Sequence, residues 1–252
     1  MIPLRDDQPT ATFPIITIML IVINVIVFLN QGPLHLEESY AMVPYEITHH
    51  VSLVGTYQIP GFDSSHALTY GQAPRPIWLT IFTSMFLHGG ILHIAGNMLY
   101  LWIFGNNIED VLGKFRFILF YFVCGLAAAV AQITTDPNSM IPTIGASGAI
   151  AGVLGAYILL YPNARVFSIV PIFGFGFFTD VRAFWVLALW IALQIFQGFS
   201  GEGMARGGGI AYFAHMGGFA AGLVLIIMLG GKRLLERQRA LLYRNRQRRG
   251  LY

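Results

Sequence analysis

The sequence predicts an all-α, polytopic membrane protein of six transmembrane helices, and three observations carry that prediction. Hydrophobic residues make up 56% of the chain and charged residues 11%, against roughly 25% charged in soluble domains. Several apolar runs approach the ~20 residues that cross the hydrocarbon of a bilayer. The basic residues gather on one side when successive connectors are assigned alternately to the two faces of the membrane.

Taken in order, the first apolar run, 15–29, has no basic leader and no small-residue cleavage site after it. It therefore reads as a retained first span, 13–31, and not as a cleaved signal. The connector 32–91 is the longest and mixes Pro, Gly, His and aromatic residues. It is too polar for a span and too apolar for a disordered linker, so it is expected to lie partly in the membrane interface. The remaining spans are expected at 92–108, 115–133, 147–162, 183–199 and 210–229. The third contains Cys124, the one cysteine, so neither a disulfide framework nor a thiolate metal site is available, and a small packing residue is the reading. A single membrane domain over 1–252 accounts for the chain, ending in a basic tail at 232–252.

Orientation follows from charge. Arg5, Lys114, Arg116, Arg165, Arg182 and the tail fall on one side, and Arg75 and Arg206 on the other. Both termini are thereby predicted to be cytoplasmic, in a bacterial inner membrane. The net charge of +3 comes from the tail, with Lys232, Arg233, Arg237, Arg239, Arg244, Arg246, Arg248 and Arg249 following the last span. Basic residues in that place orient the span and meet anionic lipid headgroups, and they do not call for nucleic acid.

That orientation brings the starts of spans 2, 4 and 6 to the outer end, and those starts carry His93 with Asn97, Ser147, and His215. Charge set the orientation independently of these polar residues, so their convergence points to one site. Ser147 sits at a loop-to-helix junction between Gly145 and Gly148, where the unpaired amides of a first helical turn can face a developing oxyanion. The flanking glycines let a substrate backbone approach. The run from Ser147 to Tyr161 reaches only ~22 Å at ~1.5 Å per residue, so the serine is expected below the outer surface. Taken alone, this motif reads better as a helix cap beside a close-packing face.

Span 6 shifts the balance, because His215 is followed by Gly218 and Gly222 at four-residue spacing. If this stripe meets the small residues of span 4, a neutral imidazole can reach the serine hydroxyl, although proton relay or cofactor ligation accounts for a histidine in a span as well as base catalysis does. No acidic residue lies deep in any span, and Glu109 and Asp110 sit at the far end of span 2. A dyad is predicted in place of a triad, its imidazole held by packing and neutral hydrogen bonds. Residues 88–97, HGGILHIAGN, put His93 and Asn97 on one helical face, where both can donate to one point. Helix-to-helix polar glue is the structural alternative, and a metal reading from His88 and His93 lacks further ligands.

These residues resemble a known family. HxxxxHxxxN in span 2, GxSG opening span 4, AHxxGxxxG in span 6 and GNNIEDVLG at 105–113 are similar, in order and spacing, to rhomboid intramembrane proteases, over nearly the whole chain. The resemblance implies Ser147 as nucleophile, His215 as base, and the Ser147 N–H with the His93 and Asn97 side chains as oxyanion donors. His88 matches a supporting histidine. It also implies a rhomboid-type bundle and cleavage of transmembrane protein substrates near the outer leaflet, with no cofactor and no metal. Two positions depart from the pattern. Leu79-Thr80 stand where many members have Trp-Arg, and Ala151 stands where some carry an aromatic that stacks on the base. The rival readings are an inactive relative that binds membrane clients, and a transporter drawing on His93, Asn97, Gln194 and His215.

Overall fold

The structure, a computed structural model, describes residues 1–58, 67–172, 175–200 and 211–248. Arg206, Arg249 and residue 210, used above, lie outside the described residues.

Each apolar run anticipated from hydropathy is helical. The N-terminal strand β1 (Ile2–Asp6) leads to α1 (Ile15–Gln31), and the long connector holds the short helices α2 (Leu36–Tyr40) and α3 (Pro44–His49) and a hairpin, β2 (Gly55–Gln58) with β3 (Ala67–Tyr70). A helical stretch follows at Ile77–Phe86, with α4 (Thr80–Thr83) flanked by 3₁₀ turns. Next come α5 (Ile91–Tyr100), a π-helical turn (Leu101–Gly105) and α6 (Asn106–Leu112), continuous with one another, and then α7 (Lys114–Thr135) and α8 (Ser147–Leu160). Strands β4 (Arg165–Ile172) and β5 (Phe175–Arg182) precede α9 (Ala183–Phe199), α10 (Tyr212–Met228) and α11 (Gly231–Arg248).

Among the described residues, α7 alone is by length and composition a helix long and apolar enough to cross a membrane unaided. The pairs Ile77–Phe86 with Ile91–Leu112, bent by 83°, and Tyr212–Met228 with Gly231–Asn245, bent by 70°, qualify when each is taken together. α1, α8 and α9 are shorter apolar helices. Their burial pattern is that of a bundle in lipid. On α7, Phe115, Leu119, Val123, Leu126 and Val130 recur every three or four residues and are exposed, an apolar stripe facing outward that water would not tolerate but acyl chains would. α8 carries no such stripe, because nearly all of it is buried at the centre.

The expectation of an all-α fold is corrected to a mostly helical one. β1, β4 and β5 form an antiparallel sheet in the order β1-β4-β5, at the end of α8 remote from Ser147. Its strands read as connector because hydropathy windows of span length average over them, whereas Val166, Phe167, Ile169 and Val170 are the β-branched and aromatic residues that suit a pleated strand. Residues 232–248 of the basic tail are helical as well, within α11 (Gly231–Arg248).

The same end is tied together by carboxylates. The Glu109 side chain accepts hydrogen bonds from the amides of Ile16 (3.0 Å) and Thr17 (2.8 Å) and from the Thr17 hydroxyl (2.8 Å), capping the otherwise unpaired first turn of α1. Asp110 accepts from the amides of Ala11 and Thr12 and from the Gln238 side chain on α11. Asp6 accepts from the Tyr157 hydroxyl and the Asn107 amide, and burial pushes its carboxyl up to about 6 against the pull of the tyrosine. Gly113, at φ +77°, reverses the chain between α6 and α7, a backbone conformation that side chains with a Cβ avoid.

Candidate active site

The site is assembled at the opposite end, where α5, α8 and α10 begin. Close approach of α8 and α10 is what brings their first turns together. A Cβ on Gly218 would stand 2.0 Å from the Gly148 carbonyl oxygen, and one on Gly222 would stand 1.9 Å from that of Gly152. Gly148 also faces α7, where a Cβ would meet that of Ala128 at 2.5 Å. The helices thus touch backbone to backbone, the packing that small residues at four-residue spacing permit.

Ser147 and His215 lie at the tips of these two helices. The His215 Nε2 is 2.7 Å from the Ser147 Oγ, which is hydrogen-bond distance. Ser147 is half-buried beside a small cavity bordered by Ser84, Met85, Thr143 and Ala214. As the first residue of α8 it presents its own N–H ahead of the helical ladder, in which the Ile150 amide donates to Ala146.

His93 and Asn97 flank the loop that enters α8. Gly145, at φ +120°, has no space for a side chain, since a Cβ would lie 2.8 Å from the His93 Nε2 and 3.6 Å from the Asn97 Nδ2. The Gly89 amide donates to the His93 Nδ1 at 3.3 Å, so the ring proton belongs on Nε2, the atom turned toward Gly145. The Asn97 Nδ2 is buried and has no partner among the described residues. Two donors are therefore directed at the residues immediately before Ser147, one of them unspent.

His88 is fully buried, with neither ring nitrogen hydrogen-bonded among the described residues, and its ring stands edge-on to His93 at 5.1 Å. Its backbone is gripped by Gln31 at the end of α1, which accepts from the His88 amide at 3.0 Å and donates to its carbonyl. Among the described residues, no cluster of three or more His, Cys, Asp or Glu is placed to hold a metal.

Two neighbours of the imidazole were not assigned to the site from sequence. The His215 Nδ1 is 2.6 Å from the Gln194 Oε1, and the Trp190 ring lies 5.7 Å from the imidazole, tilted by 41°. Both come from α9. The aromatic neighbour that Ala151 does not supply from α8 is thus present from another helix. Gln194 carried a signal, being a polar residue inside an apolar run. Trp190, four residues before it on the same face, had none apart from that spacing.

Residues 75–232, more than half of the chain, match the family described as Rhomboid domain. Mitochondrial Rhomboid protein 1 of Saccharomyces cerevisiae is 30% identical over 152 residues, covering 58% of this chain and 40% of its own length. Rhomboid protease GluP of Bacillus subtilis is 43% identical over 84 residues, 33% of this chain and 16% of its own. Putative rhomboid protease YdcA of the same organism is 34% identical over 83 residues, 33% of this chain and 41% of its own. The chain spans less than half the length of each of these relatives.

Proposed function

Because this chain belongs to the rhomboid family of integral membrane proteins, we propose that it is an intramembrane serine endopeptidase working through Ser147 and His215. The observation that carries the reading is the 2.7 Å contact between the His215 Nε2 and the Ser147 Oγ, inside an apolar bundle. In the reaction, the imidazole takes the hydroxyl proton as the serine oxygen attacks the scissile carbonyl. The Ser147 N–H, the His93 Nε2–H and the Asn97 amide donate to the oxyanion that forms. The imidazolium then protonates the leaving amine, and the same base activates the water that releases the acyl group.

In this reading the six apolar helices, α1, α5 with α6, α7, α8, α9 and α10, each cross the bilayer, with both termini cytoplasmic. Ser147 then opens toward the outer leaflet, and the substrates are transmembrane proteins cut near that leaflet. The exposed Lys232, Arg233, Arg237, Arg239 and Arg244 of α11 face anionic headgroups on the cytoplasmic side. The test is reconstitution of the purified protein in liposomes with a single-span substrate. Proteolysis that Ser147→Ala removes is the expected result, and binding without cleavage would assign the chain to the client-binding class.

Asn97 separates catalysis from packing. As an oxyanion donor its replacement by alanine lowers kcat by up to ~10²-fold with KM little changed. The His93 and Ser147 donors remain, which keeps the loss below that of either dyad member. As interhelical glue it would cost only about 0.6–2 kcal/mol of stability. Measuring kcat and Tm on one preparation decides the matter, and an unchanged kcat with a lowered Tm removes Asn97 from the site.

A further inference from the structure

The serine, its base and the oxyanion donors leave one buried polar contact at the site without a task. Gln194 is only 8% exposed, in the middle of the apolar helix α9, and the polar atom it directs at α10 is an amide oxygen 2.6 Å from the His215 Nδ1. An amide oxygen accepts hydrogen bonds and cannot donate them. The contact is therefore a hydrogen bond only when the imidazole proton sits on Nδ1. That tautomer leaves the lone pair on Nε2, the nitrogen 2.7 Å from the Ser147 hydroxyl. With the proton on Nε2 instead, two lone pairs would face each other across 2.6 Å, and His215 could not accept the serine proton.

We infer that Gln194 is the positioning residue of the proposed dyad, selecting the Nδ1–H tautomer of His215 and fixing its ring, with Trp190 as the wall that prevents the ring from turning away. Trp190 lies one helical turn before Gln194 and packs against both His215, at 5.7 Å, and Phe219, at 6.3 Å. Two contacts of different kinds, one hydrogen bond in the ring plane and one aromatic surface against the ring, thus define the imidazole orientation from a single helix. A carboxylate would perform the same selection, as the acid of a catalytic triad does. Ionised in an apolar bundle, it would carry a desolvation cost that a neutral amide avoids. The inference rests on the protease reading for its catalytic meaning, but the tautomer is a property of the resting protein.

Two replacements and two readouts test it. Gln194→Met keeps the length and volume of the side chain and removes the acceptor, whereas Gln194→Glu keeps an acceptor oxygen. With a single-span substrate in liposomes, Gln194→Met is expected to lower kcat by at least ~10–100-fold with KM unchanged, the range seen when a metal-bound histidine loses the group that orients it. Gln194→Glu should remain within about fivefold of the parent, a rescue that a purely packing role would not produce. Independently, the ¹⁵N spectrum of histidine-labelled protein in micelles should show His215 protonated on Nδ1, and that signature should become mixed in Gln194→Met. A parent spectrum with the proton on Nε2, or a folded Gln194→Met with parental kcat, overturns the inference. An Nδ1–H signature lost in Gln194→Met, in a protein with no Ser147-dependent cleavage, would uphold the positioning role and sink the protease reading instead.

Discussion

Alanine at Ser147 or at His215 is expected to lower cleavage of a single-span substrate by at least about 10⁴-fold, and the double replacement to cost little more than either alone. In the proposed dyad the two side chains share one proton across 2.7 Å. Once the hydroxyl is gone the imidazole has nothing to activate. Once the imidazole is gone the hydroxyl is a poor nucleophile near neutral pH. Losses that summed would mean two independent contributions and would contradict a dyad. The stability of the two variants should differ. Ser147→Ala removes one atom from a half-buried position, whereas His215→Ala leaves the Gln194 oxygen unpaired, at a cost of about 1–3 kcal/mol. Tm measured beside activity separates these effects from the chemistry.

The second large effect is expected at Gly222, far from the reacting atoms. Gly222→Ala puts a methyl group where the Gly152 carbonyl oxygen lies 1.9 Å away, and the obstacle is backbone, so no side chain can move aside. α8 and α10 must separate by more than 1 Å. Overpacking of this kind costs about 3 kcal/mol or more when it cannot be relieved locally. Because Ser147 and His215 sit at the tips of the two helices, separation also spoils their contact, and a displacement near 1 Å can cost ~10² in rate. Both Tm and the activity of the remaining folded protein should fall. Gly32 provides the control, since it has an ordinary φ of −65° and open space around its Cβ position, so Gly32→Ala should change neither.

The difference between Gly222 and Gly32 also marks what was readable in the sequence. The stripe Gly218, Gly222 followed a histidine at helical spacing, and Gly148, Gly152 followed a serine, so two faces fit for close packing were legible, while their meeting each other was not. The helices themselves were legible because lipid selects long apolar runs, and Lys114–Thr135 is as plain a signal as composition can provide. The sheet was not. Residues 165–182 are too mixed for a span, and a three-stranded sheet that recruits Ile2–Asp6 from the far end of the chain depends on a pairing that local pattern does not encode.

Within the site, residues whose chemistry is written in short motifs were legible, and residues whose role depends on packing were not. Ser147 lies in GASG, and His93 and Asn97 lie four apart on one helix. Gln194 drew notice only as a polar residue in an apolar run, because its partner is 21 residues away, across a connector, on another helix. Trp190 is one aromatic among many in this chain and gains meaning only from the face it shares with Gln194. His88 shows a different limit. Its burial without partners for either ring nitrogen is a property of the packed bundle, and no spacing in the sequence announces it.

Labelling with a fluorophosphonate asks whether Ser147 is a nucleophile made reactive by His215. Phosphonylation requires an activated serine and no substrate, so the readout does not depend on finding a cleavable membrane protein. The purified protein should carry one adduct, mapped by mass spectrometry to Ser147, and His215→Ala should lose nearly all of it while Tm shows the protein still folded. Equal labelling of the parent and of His215→Ala, or an adduct on any other serine, would mean that His215 does not activate Ser147.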